Sequence, residues 1–198
     1  MKHTLFITAA FALFSFASCN NTATDNGSPK TDSTAAKAGS KTERNISSVR
    51  SSMDGINAHD INKVFKDSNN HDFTEYGDGS MPPVKGDSAK KSLADFMHAF
   101  SDMKIESAMY FADGNTVVVV DDWNMTFTND LGPIKATGKS IKYKDVDIFT
   151  FDDNGKMLSH RNIYPNSAIF AQVGVDMSKM QAMGDKGKDM KKEGDKKK

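Results

Sequence analysis

The chain has a single cysteine, Cys19, in 198 residues. One cysteine cannot form an intramolecular disulfide, so a hydrophobic core has to stabilise the fold. Lysine plus arginine equals aspartate plus glutamate, at 26 each, so no net charge favours nucleic acid or an acidic partner. Beyond the N-terminus, no apolar run approaches the roughly 20 residues that a membrane-spanning helix needs.

Several motifs of catalysis and cofactor binding are also missing. The sequence has no glycine-rich phosphate loop, no paired cysteines or His-x-x-x-His spacing for a metal ion, and no nucleophile elbow. Its five histidines are scattered along the chain. The sequence therefore predicts neither a cofactor nor a metal site.

The N-terminus is typical of an export signal. Lys2 and His3 precede an apolar run from Leu5 to Ala17, and small residues stand directly before Cys19. This arrangement resembles a bacterial lipobox, in which the cysteine is acylated after cleavage. Phe16 departs from it, because such motifs usually have leucine there. The alternative is an ordinary secretory signal with a chance cysteine.

These features divide the chain into four parts. We expect residues 1–18 to be a lipoprotein signal peptide, and residues 19–43, which are mostly small and polar, to be a disordered tether. A folded domain is predicted at residues 44–175, followed by a disordered tail rich in lysine, methionine and glycine at 176–198. Asn20 is not the aspartate that retains lipoproteins at an inner membrane. The predicted location is therefore the cell envelope of a Gram-negative bacterium, at the outer membrane.

The predicted domain begins with helices and continues with strands. Apolar residues recur every three or four positions between Ile46 and Ile56 and between Leu93 and Phe100, as in helices that pack on a core. Asp60 is placed to cap a short helix between them. One strand pattern, at residues 71–76, precedes the last of these helices. Further strand patterns follow it at 104–112 and 116–128 and in a hairpin around the turn at residues 153–155. This order predicts an α+β fold with helices on one side of a curved antiparallel sheet.

Six short motifs occur along the domain in a characteristic order. They are NAHD at residues 57–60, FSDMK at 100–104, ADGN at 112–115, ATGK at 136–139, DIFTF at 147–151 and QVG at 172–174. Together they resemble the SnoaL-like polyketide cyclase family of the nuclear-transport-factor-like superfamily. The resemblance implies a cone of curved antiparallel sheet wrapped on N-terminal helices, with an internal pocket. It also implies a homodimer formed through the sheet.

Alternation along the predicted strands indicates which side chains face such a pocket. The alternation on the last strand turns Arg161 inward and His160 outward. We expect Arg161 to pair with one carboxylate, and a carboxylate without a cation to have a raised pKa. The candidate pocket residues from the strands are Asp121, Trp123, Tyr143, Asp145, Asp147 and Arg161, and Asp145 has the alternative of simply meeting water.

The resemblance also implies the position of a catalytic residue. Cyclases of this family place an acid/base aspartate shortly before the closing Gln-x-Gly, and this position is Pro165 here, with Asn166 next to it. Neither side chain exchanges a proton, so no catalytic residue is assigned. His71, on the first predicted strand, is a candidate replacement base.

Three functions are consistent with the sequence. The first is a membrane-tethered module that binds a small apolar or cyclic molecule without turnover. The second is an isomerase, cyclase or hydrolase that uses pocket carboxylates as acids and bases. The third is a structural dimer whose pocket is filled. A cavity below about 300 Å³ would count against both functions that need a ligand.

Overall fold

The computed structural model describes residues 33–69 and 71–176. This part of the chain contains four helices and six strands, joined by loops. The predicted signal peptide, Cys19, tether residues 19–32 and tail residues 177–198 lie outside the described residues. No helix within the described ranges is long and apolar enough to cross a membrane. The elements are α1 (Ser33–Asn57), α2 (Ile61–Val64), β1 (Thr74–Glu75), β2 (Val84–Lys85), α3 (Gly86–Ala99), β3 (Lys104–Asp113), β4 (Thr116–Thr126), β5 (Ser140–Phe151), β6 (Met157–Asn162) and α4 (Asn166–Gln172).

Helix α1 starts well before the predicted domain boundary at residue 44. Its first residue is Ser33, so the helix occupies part of the segment predicted to be a tether. The segment from Ala35 to Ala38 contains good helix formers, and the packed C-terminal half of α1 supplies a nucleus from which a helix propagates cheaply. The small polar residues of the segment are compatible with disorder. The segment is helical because it continues directly into the half of α1 that packs on the core.

The six strands form one mixed sheet in the order β2-β1-β6-β5-β4-β3. The predicted antiparallel succession of β3, β4, β5 and β6 is confirmed. Strand β1 pairs with β6 in parallel, which places Glu75 opposite His160. The helices precede or interrupt the strands, so the architecture is the predicted α+β fold.

The core lies between the helices and the inner face of the sheet. Val49, Met53 and Ile56 of α1 are buried, as their spacing predicts. The ring of Phe100 stacks on that of Phe127 with centroids 5.1 Å apart. Burial of such apolar side chains is the main favourable contribution to the stability of a domain without disulfides.

Two local features direct the chain around the core. Asp60 caps α2, because its carboxylate accepts hydrogen bonds from the backbone N–H groups of Asn62 and Lys63 at 3.0 and 3.1 Å. This cap is the one that the sequence predicts. At Gly55, a Cβ atom would lie 2.6 Å from the backbone nitrogen of Val64. A glycine in α1 therefore permits close contact between the first two helices.

A register shift between β5 and β6 reverses the predicted orientation of β6. Phe151 pairs with Met157 but Thr150 pairs with Ser159, so the intervening Leu158 is the extra residue of a bulge. Past the bulge, His160 lies opposite the inward-facing Phe149. The alternation that turned Arg161 inward is wrong, because it assumed an unbroken strand.

Candidate functional site

A cavity of about 260 Å³ lies between the helices and the inner face of the sheet. Its wall is mainly apolar, with side chains from the three N-terminal helices, the sheet and α4. The apolar part includes Val64, Phe65, Phe73, Leu93, Phe96, Met103, Phe149 and Ile169. One end is polar and is formed by Glu75, Asp145, Asp147, His160, Asn162 and Asn166.

The structure divides the predicted pocket residues into two groups. Those that line the cavity are Trp123, Tyr143, Asp145 and Asp147. Asp121 is fully buried but lies behind the cavity wall, next to Asp147. His71 is exposed on a turn before β1, so its predicted role as a base is not supported by its position. Arg161 is exposed on the outer side, where its guanidinium lies 5.0 Å from the ring centroid of Tyr76.

His160 connects two carboxylates at the polar end. Its Nδ1 lies 2.7 Å from Oε2 of Glu75, and its Nε2 lies 3.0 Å from Oδ1 of Asp147. Burial of the ring opposes its protonation, but the charges and hydrogen bonds of the two carboxylates outweigh burial. They raise the pKa of His160 well above its usual value. The imidazole is therefore a cation at neutral pH and donates both hydrogen bonds.

Asp121 is the most deeply buried carboxyl group of the site. Its side chain is 0% exposed, and its ionised form would have no donor within hydrogen-bond geometry for either oxygen among the described residues. Burial, followed by repulsion from Asp147, raises the pKa of Asp121 to about 8. The nearby indole of Trp123 opposes this shift only in part. At neutral pH Asp121 therefore keeps its proton and donates it to the Asp147 carboxylate.

Asp145 is held by three backbone N–H groups, one from β5 and two from the segment that follows β6. Its Oδ1 accepts N–H groups of Val146, Ile163 and Tyr164 at 2.7, 3.1 and 2.7 Å. Burial and the charge of Asp147 nevertheless raise the pKa of Asp145. The side chain is 4% exposed, so the alternative that Asp145 simply meets water is wrong.

Aromatic rings form the wall beside these carboxylates. The rings of Trp123 and Tyr143 are nearly parallel, with centroids 6.3 Å apart, and the ring of Tyr164 lies 4.7 Å from that of Tyr143. Burial and the neighbouring carboxylates strongly raise the pKa of Tyr143, so its hydroxyl stays protonated. The Nε1 of Trp123 is buried and forms no hydrogen bond within ordinary geometry in the described part of the chain.

Sequence reasoning missed four residues of the polar end of the cavity, which are Glu75, His160, Asn162 and Asn166. Two of them, His160 and Asn162, were assigned to the outer face because the bulge in β6 has no clear sequence signal. Glu75 reaches the site through the parallel pairing of β1 with β6, which joins residues far apart in the chain. Asn166 begins α4, and its N–H donates to Asp78 Oδ2 at 2.8 Å.

The polar end does not resemble a metal site. No group of three or more histidine, cysteine, aspartate or glutamate side chains is arranged to hold a metal ion within residues 33–69 and 71–176. Both nitrogens of His160 already bond to carboxylates. The arrangement instead provides a chain of proton donors and acceptors from Glu75 through His160 and Asp147 to Asp121.

Comparison with known proteins agrees with this architecture. The sequence model of the SnoaL-like polyketide cyclase family matches residues 48–173, which is more than half of the chain. No curated protein matches the sequence.

Similar solved structures share the fold at low sequence identity. A proposed SnoaL-like polyketide cyclase from Jannaschia sp. CCS1 has a TM-score of 0.61 and 17% identity, over 77% of this chain and 99% of that one. A proposed polyketide cyclase from Xanthomonas campestris pv. campestris has a TM-score of 0.59 and 18% identity, over 68% and 99%. An NTF2-like protein of unknown function from Burkholderia pseudomallei K96243 has a TM-score of 0.55 and 15% identity, over 67% and 98%. The fold is therefore nuclear-transport-factor-like.

Proposed function

The chain belongs to the SnoaL-like polyketide cyclase family, and on that premise we propose that its cavity binds a small, largely apolar or cyclic molecule through a polar group at one end. One observation carries this proposal. The cavity wall is mainly apolar and carries its charged groups at one end, where Glu75, His160 and Asp147 form a hydrogen-bonded chain. Ligand sites typically combine an apolar wall with a few fixed polar groups.

The volume of the cavity limits the size of this molecule. At about 260 Å³ it falls just below the roughly 300 Å³ at which ordinary ligand sites begin. By the roughly 300 Å³ criterion this volume weakens both functions that need a ligand, and it counts most strongly against a large polycyclic one. A cavity of about 150 Å³ holds benzene, so by proportion this one suits a molecule of about ten non-hydrogen atoms. We therefore propose an occupant of one or two rings.

A ligand-dependent thermal shift tests the binding function. One- and two-ring compounds should stabilise the folded chain, by about 2.7 kcal/mol at a ligand concentration one hundred times the Kd. Leu93→Trp should abolish the shift, because Leu93 lines the cavity and the larger side chain would fill it. Arg161→Met is the matched control and should keep the shift, because Arg161 lies outside. A shift that survives in Leu93→Trp would contradict binding in this cavity.

An enzyme that transfers protons is the second candidate function. The observation that favours it is the position of the His160 cation on the cavity wall, hydrogen-bonded between Glu75 and Asp147. To act as the acid, His160 would exchange its Nε2–H hydrogen bond to Asp147 for one to a carbonyl oxygen and transfer that proton. The Asp145 carboxylate would remove a proton from the adjacent carbon, which yields an enol. Pro165 caps α4 where the family has its acid/base aspartate, so the family's own mechanism does not transfer.

Deuterium exchange distinguishes the enzyme from the binding module. A small cyclic ketone in D₂O should exchange its α-hydrogens faster with the wild-type chain than with His160→Gln, as measured by NMR. The Arg161→Met chain is again the control and should exchange at the wild-type rate. Equal exchange rates for wild type and His160→Gln would remove the second candidate and leave the binding function standing.

We also propose that the domain is tethered to the outer membrane through an acylated Cys19. This proposal rests on the apolar segment and the small residues that precede the cysteine. Cys19→Ser should move the protein from the membrane fraction to the soluble fraction. A Cys19→Ser protein that still sediments with membranes would contradict lipidation.

A second copy of the chain is the proposed partner of the outer face of the sheet. Met109 and Phe111 of β3 are 56% and 57% exposed there, and Phe111 lies opposite Val118, which lies opposite Ile148. Large exposed side chains beside β-branched ones are typical of a surface that pairs with another. Phe111→Lys should lower the mass measured by light scattering to that of a monomer. Met81→Lys, at an exposed loop position, is the control. A wild-type chain that is monomeric at high micromolar concentration would contradict this partner.

A further inference from the structure

We propose that the molecule bound in this cavity is a small organic cation, an amine carried on an aromatic or alicyclic body. The inference rests on the proposed binding function and adds the charge of the ligand to it. It is carried by the charges on the cavity wall, by one unused carboxylate oxygen and by the aromatic rings beside that oxygen.

The charges on the wall do not balance. Three acidic side chains line the cavity, Glu75, Asp145 and Asp147, against one basic side chain among the described residues, His160. With one of the three carboxyl groups protonated, the wall still has a net negative charge. Arg161, which the sequence placed among these carboxylates, lies on the outer side and does not neutralise them. The cavity therefore attracts a cation and repels an anion.

Most of the carboxylate oxygens already have donors. Glu75 accepts from Gly77 and His160, at 2.7 Å in each case, and Asp147 accepts from His160. Asp145 differs, because Oδ1 accepts three backbone N–H groups while Oδ2 forms no hydrogen bond to any described residue. The side chain is thus fixed in position with one acceptor unused. An ammonium group supplies only donors, so it complements this oxygen.

The aromatic wall favours the same ligand class. Trp123 and Tyr143 line the cavity with nearly parallel rings, and Phe96 and Phe149 line other parts of it. A cation over the face of an aromatic ring is attracted by the ring quadrupole, most strongly where water is excluded. The Tyr143 hydroxyl stays neutral, so it adds no competing charge. A ring-bearing amine would place its apolar body against the aromatic rings and its ammonium group near the unused oxygen of Asp145.

Three matched ligands test the charge. They are phenethylamine, 2-phenylethanol and phenylacetate, which differ little in size but are cationic, neutral and anionic at pH 7. Calorimetry with the full chain at low salt should show phenethylamine binding at least tenfold more tightly than 2-phenylethanol. This factor follows from one uncompensated carboxylate about 5 Å from the ammonium at an effective dielectric of about 20, after partial screening. Phenylacetate should not bind measurably.

A change of one charge in the wall tests the same inference from the protein side. Asp145→Asn keeps an oxygen for the backbone N–H groups, and should weaken phenethylamine binding about tenfold while 2-phenylethanol changes less than about twofold. Asp122→Asn is the control, because Asp122 lies on the opposite face of β4, paired with Lys144 at 2.7 Å. It should leave both affinities unchanged. If Asp145→Asn does not fold, Glu75→Gln makes the same test at a more exposed position.

The outcomes separate this inference from the binding function on which it rests. Equal affinities for phenethylamine and 2-phenylethanol, or tighter binding of phenylacetate, would overturn the cation and leave a small-molecule pocket in place. Failure of all three to bind would also overturn the cation, and the broader thermal-shift panel with Leu93→Trp would then decide the pocket itself. Preferential binding of phenethylamine that weakens in Asp145→Asn but not in Asp122→Asn would support the inference.

Discussion

Replacing Asp121 by asparagine should change how the stability of this domain depends on pH. Asp121 is completely buried, and its pKa is raised to about 8, first by burial and then by Asp147. Asparagine has nearly the same shape as protonated aspartate, and its amide keeps a donor for Asp147. Asp121→Asn therefore imitates the neutral state at every pH and removes only the titration.

The magnitude follows from the linkage between protonation and folding. In the unfolded chain Asp121 titrates near pH 4, whereas the folded chain keeps the proton up to about pH 8. Because the folded-state pKa is raised, its stabilising contribution is complete below about pH 4 and is lost as the pH rises to about 8. Each pH unit in this window lowers the free energy of unfolding by about 1.4 kcal/mol. Between pH 5 and pH 7 the wild type should lose about 3 kcal/mol relative to Asp121→Asn.

Urea denaturation at pH 5, 6 and 7 measures this difference. Other groups that face Asp121, namely Asp147, Asp145 and Trp123, are present in both proteins, so their contributions largely cancel in the comparison. Asp122→Asn is the control, because that neighbouring carboxylate is exposed and its pKa is lowered by Lys144 and Ser107. It titrates below this pH range, and the variant should run parallel to the wild type.

Parallel stability curves for wild type and Asp121→Asn would refute the reasoning. They would mean that Asp121 is ionised in the folded protein and that the proton shared with Asp147 does not exist. A difference that grows toward acid pH would refute it equally, because that is the sign expected for a carboxyl group with a lowered pKa. Infrared spectroscopy gives an independent check, since a protonated carboxyl absorbs at a different frequency from a carboxylate.

Three further predictions concern stability at neutral pH. His160→Gln should lower the free energy of unfolding by about 3 kcal/mol, because it leaves the carboxylates on either side without a cation. In the same urea titration, Arg161→Met on the outer face should change this free energy by less than about 0.5 kcal/mol. Phe100→Ala should lower the free energy of unfolding by about 4 kcal/mol, measured by thermal or urea unfolding, because Phe100 is fully buried. A comparable loss from Met81→Ala, at a loop position that is 66% exposed, would contradict this account of the core. Gly55→Ala should destabilise the domain although alanine favours helices, because its Cβ would clash with the backbone of α2; a higher melting temperature would contradict that contact.

Most of the architecture could be predicted from local patterns in the sequence. Val49, Met53 and Ile56 occur at helical spacing and are buried, and Asp60 caps α2 as its residue type suggests. The alternation of β4 correctly carried Asp121 inward with Val119, because the pairing of β4 with β5 has no irregularity. Such patterns depend only on residues that are close together in the sequence, so they can be recognised without the tertiary structure.

The site was predicted less completely than the fold. Trp123, Tyr143, Asp145 and Asp147 are where alternation placed them, on the cavity wall. Arg161 is not, because the extra residue in β6 exchanges inward and outward positions beyond it. A bulge adds only one residue to a strand and has no clear sequence pattern. Every side chain after it nevertheless faces the opposite side of the sheet.

The sequence by itself determined the family, the order of elements and the absence of a disulfide, because each depends on composition or on short motifs. Only the tertiary structure decided which cation neutralises the buried carboxylates. A parallel contact between β1 and β6 brings Glu75 to His160, and the bulge turns His160 toward Asp147. The resulting chain of carboxylates and imidazole therefore depends on pairing between distant segments, and no local pattern records it.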